Sequence, residues 1–249
     1  MILKLNKEGM INMKDKIKIH VLHCGEVGVD PAVPFRDVSK NPIAYTGIGR
    51  SKKLQIWLPV SAYLIEHPKG LILIDTGWHS DVRINQRKHM SYRLNMASKA
   101  RLPEGKAIDE QLLKLGIKTK DLDYVFISHM DVDHVSGVEL VKDAKKILIS
   151  EEEFKSVAKG NIRYSKRIWK DVDIKYFSMK DSKYGPFNRA FDVFEDGTTA
   201  KTITPEEVND ATICNQKSTI LCKFDGKTMF SFEVEYRYTT RPNDKISTN

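Results

Sequence analysis

Polar and apolar residues alternate over residues 17–22 (Ile-Lys-Ile-His-Val-Leu), which predicts a strand with one covered face, ending at a Cys24-Gly25 turn. Residues 30–49 carry prolines and glycines without a period and predict a long loop. Two more strands are predicted over residues 56–65 and 71–74, joined by a turn at His67-Pro68-Lys69-Gly70. The second is a short, unbroken apolar run of the kind that a buried strand shows, and it ends in Asp75-Thr76-Gly77. Residues 79–101 are polar and basic, with helical spacing among Met90, Leu94 and Ala97. A helix is predicted over residues 109–115, stopped by Gly116.

Residues 124–127 form another short apolar run, read as a buried strand, and lead into the segment 128–137. A helix is predicted to begin around that segment and to run to about Lys142. A strand over residues 147–149 and a helix over residues 151–158 follow, with Ser150 as N-cap. Residues 176–194 read as loop and short strand ending at an Asp196-Gly197 turn, and residues 219–224 and 228–234 as a hairpin around Asp225-Gly226. Strands, then helices, then strands again argue for sheets covered by helices. No repeat or linker divides the chain, so one domain is assigned to residues 17–249, and residues 1–16 are read as a flexible extension.

Composition narrows the class. The chain has 249 residues, 41% hydrophobic and 30% charged, a globular balance and enough length for one sizeable core. No apolar run approaches the ~20 residues needed to span a bilayer, and the first residues lack the apolar core of a signal peptide. No membrane association is therefore expected. The three cysteines, Cys24, Cys214 and Cys222, have no C-x-x-C spacing and are read as reduced core thiols of a cytoplasmic protein. A net charge of +8 raises nucleic acid as a partner. The lysines are spread along the chain among acids, however, and no nucleic-acid motif accompanies them, so no nucleic-acid partner is expected. Oligomeric state leaves no signal.

The chemistry concentrates in Ser128-His129-Met130-Asp131-Val132-Asp133-His134, where four potential metal ligands fall within six residues, directly after a core strand. Imidazole and carboxylate together suit zinc, and also manganese or iron. If the segment is extended, His129, Asp131 and Asp133 project alike and Val132 faces the other way. A turn or helix start must then bring His134 round.

His-x-Asp-x-Asp-His resembles the H-x-H-x-D-H signature of the metallo-β-lactamase superfamily, with Asp131 in place of the middle histidine. The apolar strand ending in Asp75-Thr76-Gly77 resembles that superfamily's second hallmark. Residues 17–203 most resemble the N-acyl homoserine lactonase branch, through Leu102-Pro103-Glu104-Gly105 and Tyr184-Gly185-Pro186-Phe187 ahead of Phe191-Asp192. The resemblance implies an α/β fold, a four-layer αββα sandwich, holding one or two zinc ions. His129 and Asp131 would bind one ion, Asp133 and His134 the other. Asp75 would orient a ligand, or serve only as a strand-end carboxylate.

Departures from the family lie further on. Its Thr-Pro-Gly-His corresponds to Thr204-Pro205-Glu206-Glu207, which puts Glu207 where a liganding histidine belongs. Its Ser-Asp-x-Gly-Tyr corresponds to Phe232-Glu233-Val234-Glu235-Tyr236. Glu233 would then bridge the metals and Tyr236 would polarise the substrate carbonyl, or the two would be a solvated residue and a packing aromatic. No histidine follows His134, so the C-terminal part is altered or truncated relative to the family. The resemblance implies a hydrolase that opens a small lactone or related ester with water activated at the metal, Asp133 giving the leaving alkoxide a proton. Residues 79–100 would be a lid over an acyl chain or an ordinary amphipathic surface. The competing expectation is a relative that has kept the fold and lost the chemistry.

Overall fold

Apolar runs at residues 71–74 and 124–127 set the centre of the fold. The computed structural model describes residues 17–34, 41, 43–160, 164–181, 189–195, 199–205, 216–224 and 227–236. Its first elements are strands β1 (Lys18–Val29), β2 (Ile56–His67) and β3 (Gly70–Ile74), then helices α1 (Val82–Met90) and α2 (Tyr92–Ala97). Next come β4 (Ser98–Arg101), α3 (Ile108–Lys114), β5 (Tyr124–Phe126), α4 (Val132–Val135), β6 (Ile147–Ser150) and α5 (Glu151–Ala158). The chain continues through β7 (Ile174–Phe177), β8 (Lys180–Asp181), β9 (Arg189–Asp192), β10 (Thr199–Pro205), β11 (Gln216–Phe224) and β12 (Lys227–Tyr236).

Two sheets result. The first has seven strands in the order β4-β1-β2-β3-β5-β6-β7, and the second has five in the order β12-β11-β10-β9-β8. β3, β5, β6 and β7 run parallel, and the other neighbouring pairs of the first sheet are antiparallel. In its parallel part both faces are covered, as the unbroken apolar runs require. Leu73, Val125, Ile147 and Ile149 pack with Trp78, Ile108, Leu112, Val135 and Val157, so the helices lie on that side. Ile72, Ile74, Phe126 and Leu148 face the other way, toward Phe177, Met179 and Val193. Phe191 of β9 meets Phe177 at 4.7 Å and Phe126 at 6.0 Å, ring centre to ring centre, which brings the second sheet's first residues against the first. Each such fully buried side chain contributes roughly 1.5–3 kcal/mol relative to exposure. An α/β sandwich is what forms, and three of its layers, one helical and two of sheet, lie among the described residues.

Several elements differ from the sequence reading. Cys24-Gly25 is a bulge within β1, since pairing with β2 resumes beyond it at Glu26↔Pro59. Helical spacing in residues 79–101 is interrupted: α1 is kinked at Asn85 and stops at Ser91, whose φ is 90°, and residues 98–101 pair with β1 as an edge strand. The helix expected after the 128–137 segment begins inside it, at Val132, and passes into a 3-10 turn over residues 136–141. Other elements follow the reading. Ser150 caps α5 through Glu153 N–H at 3.2 Å, and β11 and β12 pair antiparallel with Phe224 opposite Lys227. Residues 1–16, 196–198 and 225–226 lie outside the described residues. No helix among the described residues is long and apolar enough to cross a membrane.

Candidate metal centre

β3 and β5 run parallel and in register, Ile74 beside Phe126, so both chains leave the sheet at the same edge. Such carboxyl-terminal edges are where α/β sheets gather their functional groups. Asp75 follows Ile74 with a left-handed backbone (φ 60°), and its N–H donates to Phe126 O at 2.8 Å. Its buried carboxylate then reaches across to the second loop. Asp75 Oδ1 accepts the Ser128 N–H at 2.7 Å, and Oδ2 accepts the Ser128 hydroxyl at 2.8 Å and His134 Nδ1 at 2.8 Å.

The two loops are locked by their backbones as well. Thr76 donates its N–H (2.9 Å) and its hydroxyl (2.8 Å) to the His134 carbonyl, and Gly137 N–H donates to Gly77 O at 2.8 Å. Neither glycine has room for a side chain. A Cβ on Gly77 would lie 2.2 Å from Cys24 Cβ, and one on Gly137 would lie 2.5 Å from Thr76 O. Buried Glu153 supports the loop from beneath by accepting Met130 N–H at 2.8 Å.

Within this frame the four predicted ligands fall into two pairs. His129 Nε2 lies 3.3 Å from Asp131 Oδ2, and His134 Nε2 lies 3.5 Å from Asp133 Oδ2, with the two imidazole centres 4.1 Å apart. Only the first part of the segment is extended. Asp131 is the N-cap residue of α4, yet its side chain makes no capping bond and stays with His129. Asp133 and His134 belong to the first helical turn, which brings His134 round, and Val132 is buried in the core, as an outward pair of acids demands.

Proton placement follows from the donors. Ser128 gives its hydroxyl proton to Asp75, so its oxygen accepts the Nδ1–H of His129 at 3.0 Å. His134 gives its Nδ1–H to Asp75. Each imidazole thus turns its Nε2 toward a carboxylate, and a nitrogen lone pair beside a carboxylate oxygen is repulsive unless a cation lies between them. Without a metal a proton meets that demand at His134. Burial opposes its charge, but Asp75 and Asp133 outweigh burial and hold its pKa up at about 9. Burial pushes His129 down, toward the neutral form a metal needs, against the pull of Asp131. Burial alone would raise Asp75; the His134 and His129 imidazoles and the Ser128 N–H hold it below the usual carboxylate range. A histidine whose Nδ1 is tied to a carboxylate or hydroxyl is the arrangement metal-bound imidazoles use, so these residues fit a divalent ion.

The remaining candidates are placed less fully. Glu207 lies outside the described residues. Glu233 is on β12 opposite Thr219, and Tyr236 is its last residue, opposite Gln216, on an edge strand of the second sheet. In the 79–100 segment Met90 and Leu94 are buried in the core, as an ordinary packed helix requires. Sequence reasoning gave no role to Ser128, Thr76 or Glu153. Ser128 stands inside the quoted motif, but its part becomes visible only when Asp75 is brought to it.

The family model described as the metallo-beta-lactamase superfamily matches residues 56–210. The chain belongs to that superfamily. An N-acyl homoserine lactonase, AiiB of Agrobacterium fabrum (strain C58 / ATCC 33970), is 32% identical over 142 residues, 55% of this chain and 48% of the relative. The chain therefore matches about half the length of that relative. Two of the solved structures that share the fold illustrate the likeness. One, an N-acyl homoserine lactone hydrolase with the product N-hexanoyl-L-homoserine at its catalytic metal centre, has a TM-score of 0.60 at 19% identity, over 82% of this chain and 70% of the other. The second, a mutant of AiiA from B. thuringiensis with N-decanoyl-L-homoserine bound at its active site, has a TM-score of 0.61 at 18% identity, over 87% and 73%.

Proposed function

We propose that this chain is a metal-dependent hydrolase opening a lactone or a related small ester, the activity its superfamily relatives are named for. The observation that carries the reading is the pair of imidazoles with Nδ1 tied back to Ser128 and Asp75 and Nε2 turned to Asp131 and Asp133. A mixed imidazole and carboxylate set suits zinc, and its acidity suits manganese or iron as well. A bound divalent ion would supply Lewis acidity, lowering the pKa of water toward ~7 and polarising the ester carbonyl.

In this reading His129 and Asp131 would hold one ion, Asp133 and His134 would hold a second, and Glu233 and Glu207 would complete the set. Water adds to the ring carbonyl carbon as Asp133 takes its proton. Asp133 then passes that proton to the leaving alkoxide as the ring C–O bond breaks. Tyr236 donates a hydrogen bond to the carbonyl oxygen as negative charge develops on it. The buried, reduced thiol of Cys24 accords with a cytoplasmic location.

A second reading, a non-catalytic relative, is favoured by one observation: Glu207 stands where the family's histidine is expected. Elemental analysis of protein reconstituted with zinc or manganese, followed by a ring-opening assay on acyl homoserine lactones, separates the two. Bound metal and ring opening above buffer support the hydrolase. Bound metal without ring opening overturns the lactone as substrate, and less than one metal per chain favours the non-catalytic relative.

A further inference from the structure

Ser136 stands two residues beyond His134 and faces a second histidine cluster. His79 N–H donates to its hydroxyl at 3.1 Å, and His89 Nε2 lies 2.9 Å from the same oxygen. The rings of His79 and His89 stack at 4.8 Å, 23° from parallel. Asp81 closes the group, with Oδ1 3.7 Å from His79 Nδ1. One donor atom from each of these three residues lies within 4.8 Å of the other two. We propose that His79, Asp81 and His89 form a second cation site, separate from the His129–His134 loop, for a transition metal of the zinc class.

Three properties support this. The donors are two imidazoles and a carboxylate, a set that favours zinc, cobalt, nickel or copper over magnesium or calcium. Their setting is graded: His79 is buried, His89 half-buried and Asp81 exposed, so a cation can reach the site from solvent and find two fixed nitrogens beneath it. At His79, Nδ1 accepts the Asp81 N–H at 3.0 Å, so its lone pair already points toward the start of α1, where the Asp81 carboxylate also lies. Metal capture exchanges that hydrogen bond for a coordinate bond.

The chain reaches this geometry through its irregularities. The kink at Asn85, between the two histidines, lets His89 meet His79 ten residues earlier. An unbroken helix has no such requirement, and neither histidine belongs to the recognisable metal-binding signature.

The test is Co2+ titration of metal-free protein, followed by visible absorption and elemental analysis, in the wild type and in a His129→Ala/His134→Ala variant. The double variant is expected to retain one Co2+ per chain, and to lose it when His89→Ala is added or when Asp81→Asn removes the exposed carboxylate. If the double variant fails to fold, the wild type and His89→Gln are compared, with a difference of one ion expected. Uptake in the double variant that His89→Ala leaves unmoved overturns the site, as does the absence of any uptake there. Equal uptake by wild type and double variant would instead count against the His129–His134 centre, so the two failures are distinguishable.

Discussion

Asp75 and His134, 59 positions apart in the chain, meet through Oδ2 and Nδ1 at 2.8 Å. The contact exists because β3 and β5 are parallel neighbours, and it determines which nitrogen His134 offers to a ligand. Asparagine tolerates the left-handed backbone of Asp75, so Asp75→Asn preserves shape while removing the negative charge. We expect metal affinity to fall about 10–100-fold with the circular dichroism spectrum unchanged. Competition with a chromophoric chelator measures this, and unchanged affinity would remove Asp75 from the centre.

Gly77 is held where a Cβ would strike Cys24, on a positive φ of 61°. Gly77→Ala should cost about 3 kcal/mol or more, from overpacking and the left-handed backbone together. Gly116 has a similar φ of 75° with nothing near its missing side chain. Gly116→Ala should cost only roughly 1–2 kcal/mol. Urea unfolding of both variants tests the difference; equal losses would mean that the contact with Cys24 is unimportant.

Arg83 holds Glu110 through two bonds of 2.7 Å and pulls its carboxyl down to about 2. A depressed carboxylate stabilises the fold above its unfolded pKa and loses that contribution as pH falls through its folded value. Glu110→Gln should therefore be less stable than wild type at pH 7, by about 1 kcal/mol for so exposed a pair. The gap should close between pH about 4.5 and about 2. Denaturant titrations across that range check it, and a gap independent of pH would show that charge plays no part.

Burial drives the Cys24 thiol up to about 12, and its Sγ lies against Gln111 Nε2. Peptide mapping after treatment with an alkylating reagent at pH 8 should find Cys24 unmodified in the folded protein and fully modified in urea, because only the thiolate reacts. Rapid labelling of folded protein would contradict its place in the core.

The sheet's centre was legible because β3 and β5 are written as unbroken apolar runs, and the candidate segment 129–134 stood out because four possible donors follow one of them. What escaped depended on distant partners. Residues 98–101 (Ser-Lys-Ala-Arg) have no strand pattern of their own and become β4 only by pairing with β1. Cys24-Gly25 has the composition of a turn but is a bulge, because β2 continues alongside it. Ser128 and Ser136 are unremarkable in sequence; each acquires a role from a residue more than forty positions away. His79 and His89 show no motif spacing, and only the broken helix joins them.

β5 lies between two strands and two apolar layers, and the amides of Val125 and Ile127 donate to Lys146 O and Leu148 O. Such amides exchange with deuterium only when the whole domain opens. The loop that bears His129 is moored to the part of the molecule that comes undone last. Its geometry should persist through local fluctuations that fray the edge strands, and it should be lost in the same step as the last protected amides.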